Sequence, residues 1–209
     1  MLVYGKKGYS RHPETVRWID YGWALQQRHR LLAAEMSLRG FTDRSPVEMS
    51  TGRGSWPPRY IDEPFRQFQI LESKYRHKEK GRIPLPRNAQ QLWSHHKYSV
   101  LARDQGLYRE FGREVAGMKP HHDFSELAMK LTALLRISPS AGGIRNALQH
   151  MWGYVSAACP APPENAIEFW SCDRLLQEIQ RRALEVAQPF LLCSTALSEL
   201  QAWLPNSGS

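Results

Sequence analysis

The strongest constraint on this chain is its rhythm. From residue 88 onward, apolar side chains recur at three- and four-residue intervals, and no stretch alternates apolar and polar residues as a half-buried strand would. The segments "NAQQLWSHHKYSVLARD" (88–104), "QGLYREFGREVAGM" (105–118), "FSELAMKLTALLRI" (124–137) and "IRNALQHMWGYVSAA" (144–158) each carry an apolar stripe. Proline, glycine or an Asn/Asp cap separates them. Asn88 reads as an N-cap with Gln91 at N3, and Asp123 as an N-cap with Glu126 at N3. Upstream, Val16, Ile19, Trp23, Leu31, Ala34 and Leu38 predict one helix from Pro13 to Gly40, and Phe65, Phe68, Ile70, Leu71 and Tyr75 predict another over 63–79. Two more are expected at about 166–187 and 189–204. Together the spacing predicts an all-α protein, an irregular bundle of seven or eight helices.

Two stretches interrupt this pattern. Residues 41–64, "FTDRSPVEMSTGRGSWPPRYIDEP", have no period and read as a loop of a length that is usually functional or disordered. The "KGRIPLP" stretch (80–86) marks a change in composition. It suggests a basic helical portion over 1–84 and a helical domain over 85–209.

Charge follows the same division. Residues 1–118 hold 21 Lys and Arg against 12 Asp and Glu, whereas 119–209 hold 7 against 8. A cationic half points to a phosphate-bearing partner, because phosphate contacts release condensed counterions. The densest run lies at Lys74, Arg76, Lys78, Lys80, Arg82 and Arg87, with Tyr75 and His77 between them and Glu79 as the sole carboxylate. Cations there could follow a phosphate backbone while an aromatic ring stacks on a base. A solvated helix end, favoured by the macrodipole, would look the same.

The other polar constellations sit on apolar helices. His96, Val100 and Arg103 share one face of the 88–104 helix; His95, Tyr98 and Ala102 share the next. Arg145 and Gln149, and Asn146 and His150, stand four apart on a later helix. His96, Lys97, Tyr98, Arg103, Arg145, Asn146 and His150 could line a pocket, with histidine moving a proton; a buried polar network fits the same spacing. The sequence holds no P-loop, GxGxxG or nucleophile elbow, and "SAGGIRN" offers two glycines ahead of a helix without a phosphate-binding lysine. The adjacent pairs His95–His96 and His121–His122 lack zinc-ligand spacing. Three cysteines, Cys159, Cys172 and Cys193, form no CxxC. No metal or cofactor is expected, and reduced thiols in a cytoplasm are. No apolar run reaches the ~20 residues of a membrane span, and no secretory leader is visible at the N-terminus.

Two resemblances add to this. "HKYSVLARDQGLYREFGREVA" followed by "NALQHMWGY" resembles the YbgA-like family of uncharacterised helical domains, over about residues 88–204. The matching positions are His96, Lys97, Tyr98, Tyr108, Gly112, Arg113, Asn146, Leu148, His150, Gly153 and Tyr154. Family members accompany photolyase or are fused to thiouracil-desulfidase-like domains, which implies pyrimidine or nucleic-acid metabolism. Residues 8–47 are similar to the second half of the pyrimidine-dimer DNA glycosylase family, of endonuclease V type, at Gly8, Tyr9, His12, Pro13, Trp18, Glu35, Arg39 and Gly40. Those enzymes attack the sugar with an N-terminal amine assisted by an early glutamate. The corresponding part is expected to be missing here, so the resemblance implies binding more than lesion excision.

The resulting expectation is a nucleic-acid-binding accessory protein, with DNA as the first candidate partner, linked to DNA repair or modified pyrimidines. Arg11, Lys74, Arg76, Lys78, Lys80 and Arg82 would hold phosphates, and His12 or Tyr75 would meet a base. One alternative is an enzyme acting on a nucleotide or modified base, a pyrimidine-dimer DNA glycosylase included. Another is a helical protein-interaction scaffold. The sequence leaves enzymatic activity and oligomeric state open.

Overall fold

The computed structural model describes residues 8–38, 42–45, 54–58, 62–75, 86–158 and 167–186. The fold is all-α. Among the described residues there are eight α-helices and no strand. They are α1 (Pro13–Arg17), α2 (Gly22–Leu38), α3 (Pro64–Tyr75), α4 (Ala89–Leu101), α5 (Gln105–Gly117), α6 (Ser125–Leu134), α7 (Ala141–Ala158) and α8 (Cys172–Glu185), with a 3₁₀ turn at Ile167–Phe169. The boundary expected at 84–85 and the helix expected at 189–204 lie outside the described residues.

The helix expected over Pro13–Gly40 is instead two. Trp18 caps α1, and Asp20 adopts a left-handed conformation at φ 69° before α2 begins. Aspartate is among the few side chains that tolerate that region, so the chain turns without a glycine to mark the turn.

Caps define the helix starts downstream. The Asn88 side chain accepts from the Gln91 N–H at 2.9 Å, as expected, while the Gln91 amide oxygen accepts from the Arg87 N–H at 2.8 Å rather than from Asn88. Ala102 closes α4, and Asp104 caps α5 by accepting from Leu107 N–H at 2.8 Å. Asp123 sits one residue ahead of the N-cap, which is Phe124, and accepts from both the N–H and the hydroxyl of Ser125. Glu126 consequently makes no cap and pairs with Lys130 at 3.0 Å.

Helix α4 is the central element. Ala89, Leu92 and Val100 face a core shared with Phe111 and Val115 of α5 and Leu127, Ala128, Leu131 and Leu134 of α6. Tyr98, Leu101 and Ala102 face a second core built from Ile144, Ala147, Leu148, Met151, Trp152 and Val155 of α7 and Leu175, Leu176, Ile179 and Ala183 of α8. Each fully buried aliphatic chain here contributes about 1.5–3 kcal/mol. The close approach of α7 to the end of α4 depends on Gly143, where a Cβ would collide with the Ala102 carbonyl. The glycines of "SAGGIRN" therefore lie inside the first turn of α7, with Ser140 Oγ accepting from Gly143 N–H at 3.0 Å. They do not form a separate anion loop.

The N-terminal part meets this body through α3, which packs on α6. A second link is Trp56, whose indole lies edge-on to Trp18 and Trp23, with ring centroids 6.4 and 6.1 Å away. The Arg136 guanidinium stands 5.8 Å from the Trp56 ring and donates to the Pro57 carbonyl at 3.2 Å.

Candidate functional site

Two groups of residues were expected to carry function, and the structure treats them differently. The cations at Arg76, Lys78, Lys80 and Arg82 lie outside the described residues. Lys74 is exposed near the end of α3, and Tyr75 is the last residue of that helix. Arg11 and His12 are exposed and lie together, with Gly8, Tyr9 and Ser10, around an open depression of about 610 Å³. Tyr9 is 73% exposed and meets the His12 ring edge-on at 6.1 Å.

His12 has a local task as well. Its Nδ1 accepts from the Glu14 N–H at 3.2 Å as the N-cap of α1. In the neutral ring the proton therefore sits on Nε2, leaving a donor for a partner. Glu14, the first carboxylate of the chain, accepts from Arg17 Nε at 2.9 Å and from Trp18 Nε1 at 3.1 Å. The hydrogen bond from Arg17 is the main reason its carboxyl is held below the usual carboxylate range. Glu14 thus ties α1 together instead of standing free as a general base.

The proposed pocket residues divide by role. Tyr98 is 5% exposed within the second core, and burial pushes its hydroxyl up to about 12. His96 is held neutral at physiological pH: burial first, then the neighbouring His95 and Arg103, pushes it down to about 3. A ring so depressed does not exchange protons near neutrality, contrary to what its residue type suggested. Lys97 is also lowered by burial; its ammonium stands 4.9 Å from the Tyr98 ring and 5.9 Å from that of Tyr154.

The two arginines act on backbone. Arg103 donates to the carbonyls of Ile137 (2.6 Å), Ser99 (2.8 Å) and Leu135 (3.1 Å), closing the end of α6. Arg145 donates to Trp170, Ile167 and Glu168 carbonyls and so holds the 3₁₀ turn. Asn146 is half-buried and His150 exposed on α7. The group is brought onto neighbouring helices, but its arginines bind carbonyls of the chain, and its members do not line either of the two depressions described here.

A second depression, of about 560 Å³, opens where α5 crosses α4. Its walls are Trp93, Tyr108, Arg109, Gly112, Arg113 and Ala116. Trp93 and Arg109 had no motif to mark them. The available signal was the Arg109–Arg113 spacing of four around a glycine. No described group of three His, Cys, Asp or Glu residues could hold a metal ion, and no helix among the described residues is long and apolar enough to cross a membrane.

Comparison with known proteins agrees with the two resemblances. Residues 1–49 match the family described as pyrimidine dimer DNA glycosylase. Residues 97–188 match a family described as a protein of unknown function (DUF1722). No curated protein and no solved structure matches the chain.

Proposed function

We propose that this protein binds nucleic acid, DNA in the first instance, through its N-terminal portion, as an accessory to repair or to modified-pyrimidine metabolism. The observation that carries this is the exposed depression at Gly8–His12. It lies inside the segment similar to pyrimidine dimer DNA glycosylases and combines an exposed tyrosine with arginine and histidine. Arg11 holds a phosphate, and Tyr9 with His12 meets a base or sugar edge. The excess of cations over residues 1–118 supplies the long-range attraction.

Retention of ultraviolet-irradiated and undamaged duplex, scored together with strand cleavage, tests this. Binding should weaken with salt, and Arg11→Gln should reduce the logarithmic salt slope by about 0.9, the share of one phosphate. Retention without cleavage distinguishes an accessory from an excising enzyme. No retention at low salt, or a slope unchanged by Arg11→Gln, would overturn the proposal.

A further inference from the structure

The depression between α4 and α5 has features that packing alone does not require. Trp93 is half-buried, with Phe111 edge-on at 6.4 Å behind it and Tyr108 tilted at 5.5 Å beside it. This fixes the indole in place. Gly112 faces it: a Cβ there would meet Trp93 Cζ2 at 3.7 Å and Nε1 at 4.0 Å, an ordinary contact. The glycine is thus not needed to relieve a clash. Its effect is to leave the indole uncovered, since a longer side chain at that point would fill the depression.

The charges point the same way. Arg109 and Arg113 flank Gly112 on α5, both exposed, and neither makes an ion pair among the described residues. The nearby Glu114 is turned to Lys130 at 3.3 Å; Glu110, exposed on the same helix, forms no ion pair with either arginine, and among the described residues Arg113 Nε donates only to the Arg109 carbonyl at 3.4 Å. A rigid aromatic face rimmed by two uncompensated guanidinium groups suits a planar base joined to phosphate.

We infer that this groove is a stacking platform for one base of a single-stranded nucleic acid, with Trp93 under the base and Arg109 and Arg113 on the adjoining phosphates. A strand is favoured over a free nucleotide by the shape. Sites for small ligands enclose most of the ligand surface, whereas this one is open. An open platform gains affinity from neighbouring nucleotides along a backbone. Duplex is disfavoured because paired bases keep their faces within the stack. The site is separate from the Gly8–His12 depression and stands or falls independently of it.

The test uses the full chain and a fluorescein-labelled 12-nucleotide strand containing 5-iodouracil. Irradiation should place the adduct on Trp93 or Tyr108. Gly112→Leu, which fills the groove and raises helix propensity, should abolish that adduct and weaken binding at least about fivefold, the low end for one stacked base. Arg109→Gln/Arg113→Gln should reduce the salt slope by about 1.4; both side chains are exposed, so this variant serves should Gly112→Leu misfold. Arg11→Gln should leave the Trp93 adduct in place. Adducts only at other residues, an unchanged slope in the double variant, or thymidine monophosphate competing as well as the strand would each overturn the inference.

Discussion

Replacing Arg103 with methionine separates a structural clamp from a ligand-binding arginine. Methionine keeps an unbranched apolar stem of similar reach and removes every donor. In the protein, the guanidinium serves three carbonyls, two of them 32 and 34 residues away in sequence, at distances of 2.6–3.1 Å. Hydrogen bonds from a charged donor are worth about 1.5–3 kcal/mol each when neither end regains water. Ile137 is exposed and Leu135 half-buried, so both carbonyls recover some hydration. Weighting each bond at about 1 kcal/mol gives a loss of about 2–3 kcal/mol. For a chain of this size that corresponds to a fall in Tm of about 4–12 °C. Urea unfolding followed by helical circular dichroism should show a lower midpoint with an unchanged slope. Arg103→Lys should recover at most about a third of the loss, because one ammonium cannot span three carbonyls. A change below about 0.5 kcal/mol for Arg103→Met, within the usual range for a surface substitution, would refute the clamp.

Two further outcomes follow from other parts of the same body. Glu178 is bonded to Arg181 and to the buried Arg182, whose guanidinium stands 4.7 Å from the Trp152 ring, and the Arg181 bond foremost pulls its carboxyl down to about 2. Because the folded value is depressed, this stabilisation is present above pH about 4.5 and lost as pH falls through about 2; Glu178→Gln should flatten that acid limb and cost on the order of 1 kcal/mol at neutral pH, since solvent screens the exposed Arg181 partner. Thermal melts from pH 7 to 2 measure both, and an unaltered acid limb in the variant would count against the pair. Within α7, Gly143→Ala should destabilise by about 1–3 kcal/mol despite its helix propensity, because the Ala102 carbonyl cannot yield. Gly153→Ala, which meets nothing within 4 Å, should instead stabilise by up to about 1 kcal/mol. Equal effects at the two glycines would rule out the close approach.

What the sequence revealed, and what it hid, has a physical basis. The helices from Ala89 to Gly117 were legible because each carries its own apolar stripe, and Asn88 and Asp104 supply short-range caps. The break at Asp20 was not legible, because a left-handed aspartate leaves the surrounding helical spacing intact. Arg103 and Arg145 stand out in the sequence as polar residues on apolar helices, which suits a pocket as well as a clamp. Apart from Ser99, one turn before Arg103, their carbonyl partners lie 22–34 residues away along the chain, so their role emerges only after packing. The same holds for Trp93 and Tyr108, which are 15 positions apart and become neighbours only when α5 folds back on α4. Local periodicity encodes elements; it does not encode which polar groups meet across them.

Trp56 carries a last consequence. Its indole is gripped by two rings from the front of the chain and by the Arg136 guanidinium from the turn after α6, well inside the region similar to the uncharacterised family. A cut anywhere between Pro57 and α4 would therefore part that ring from its cation and leave an uncovered indole at the broken end of the front fragment. Experiments that ask what either half does are best done on the intact molecule.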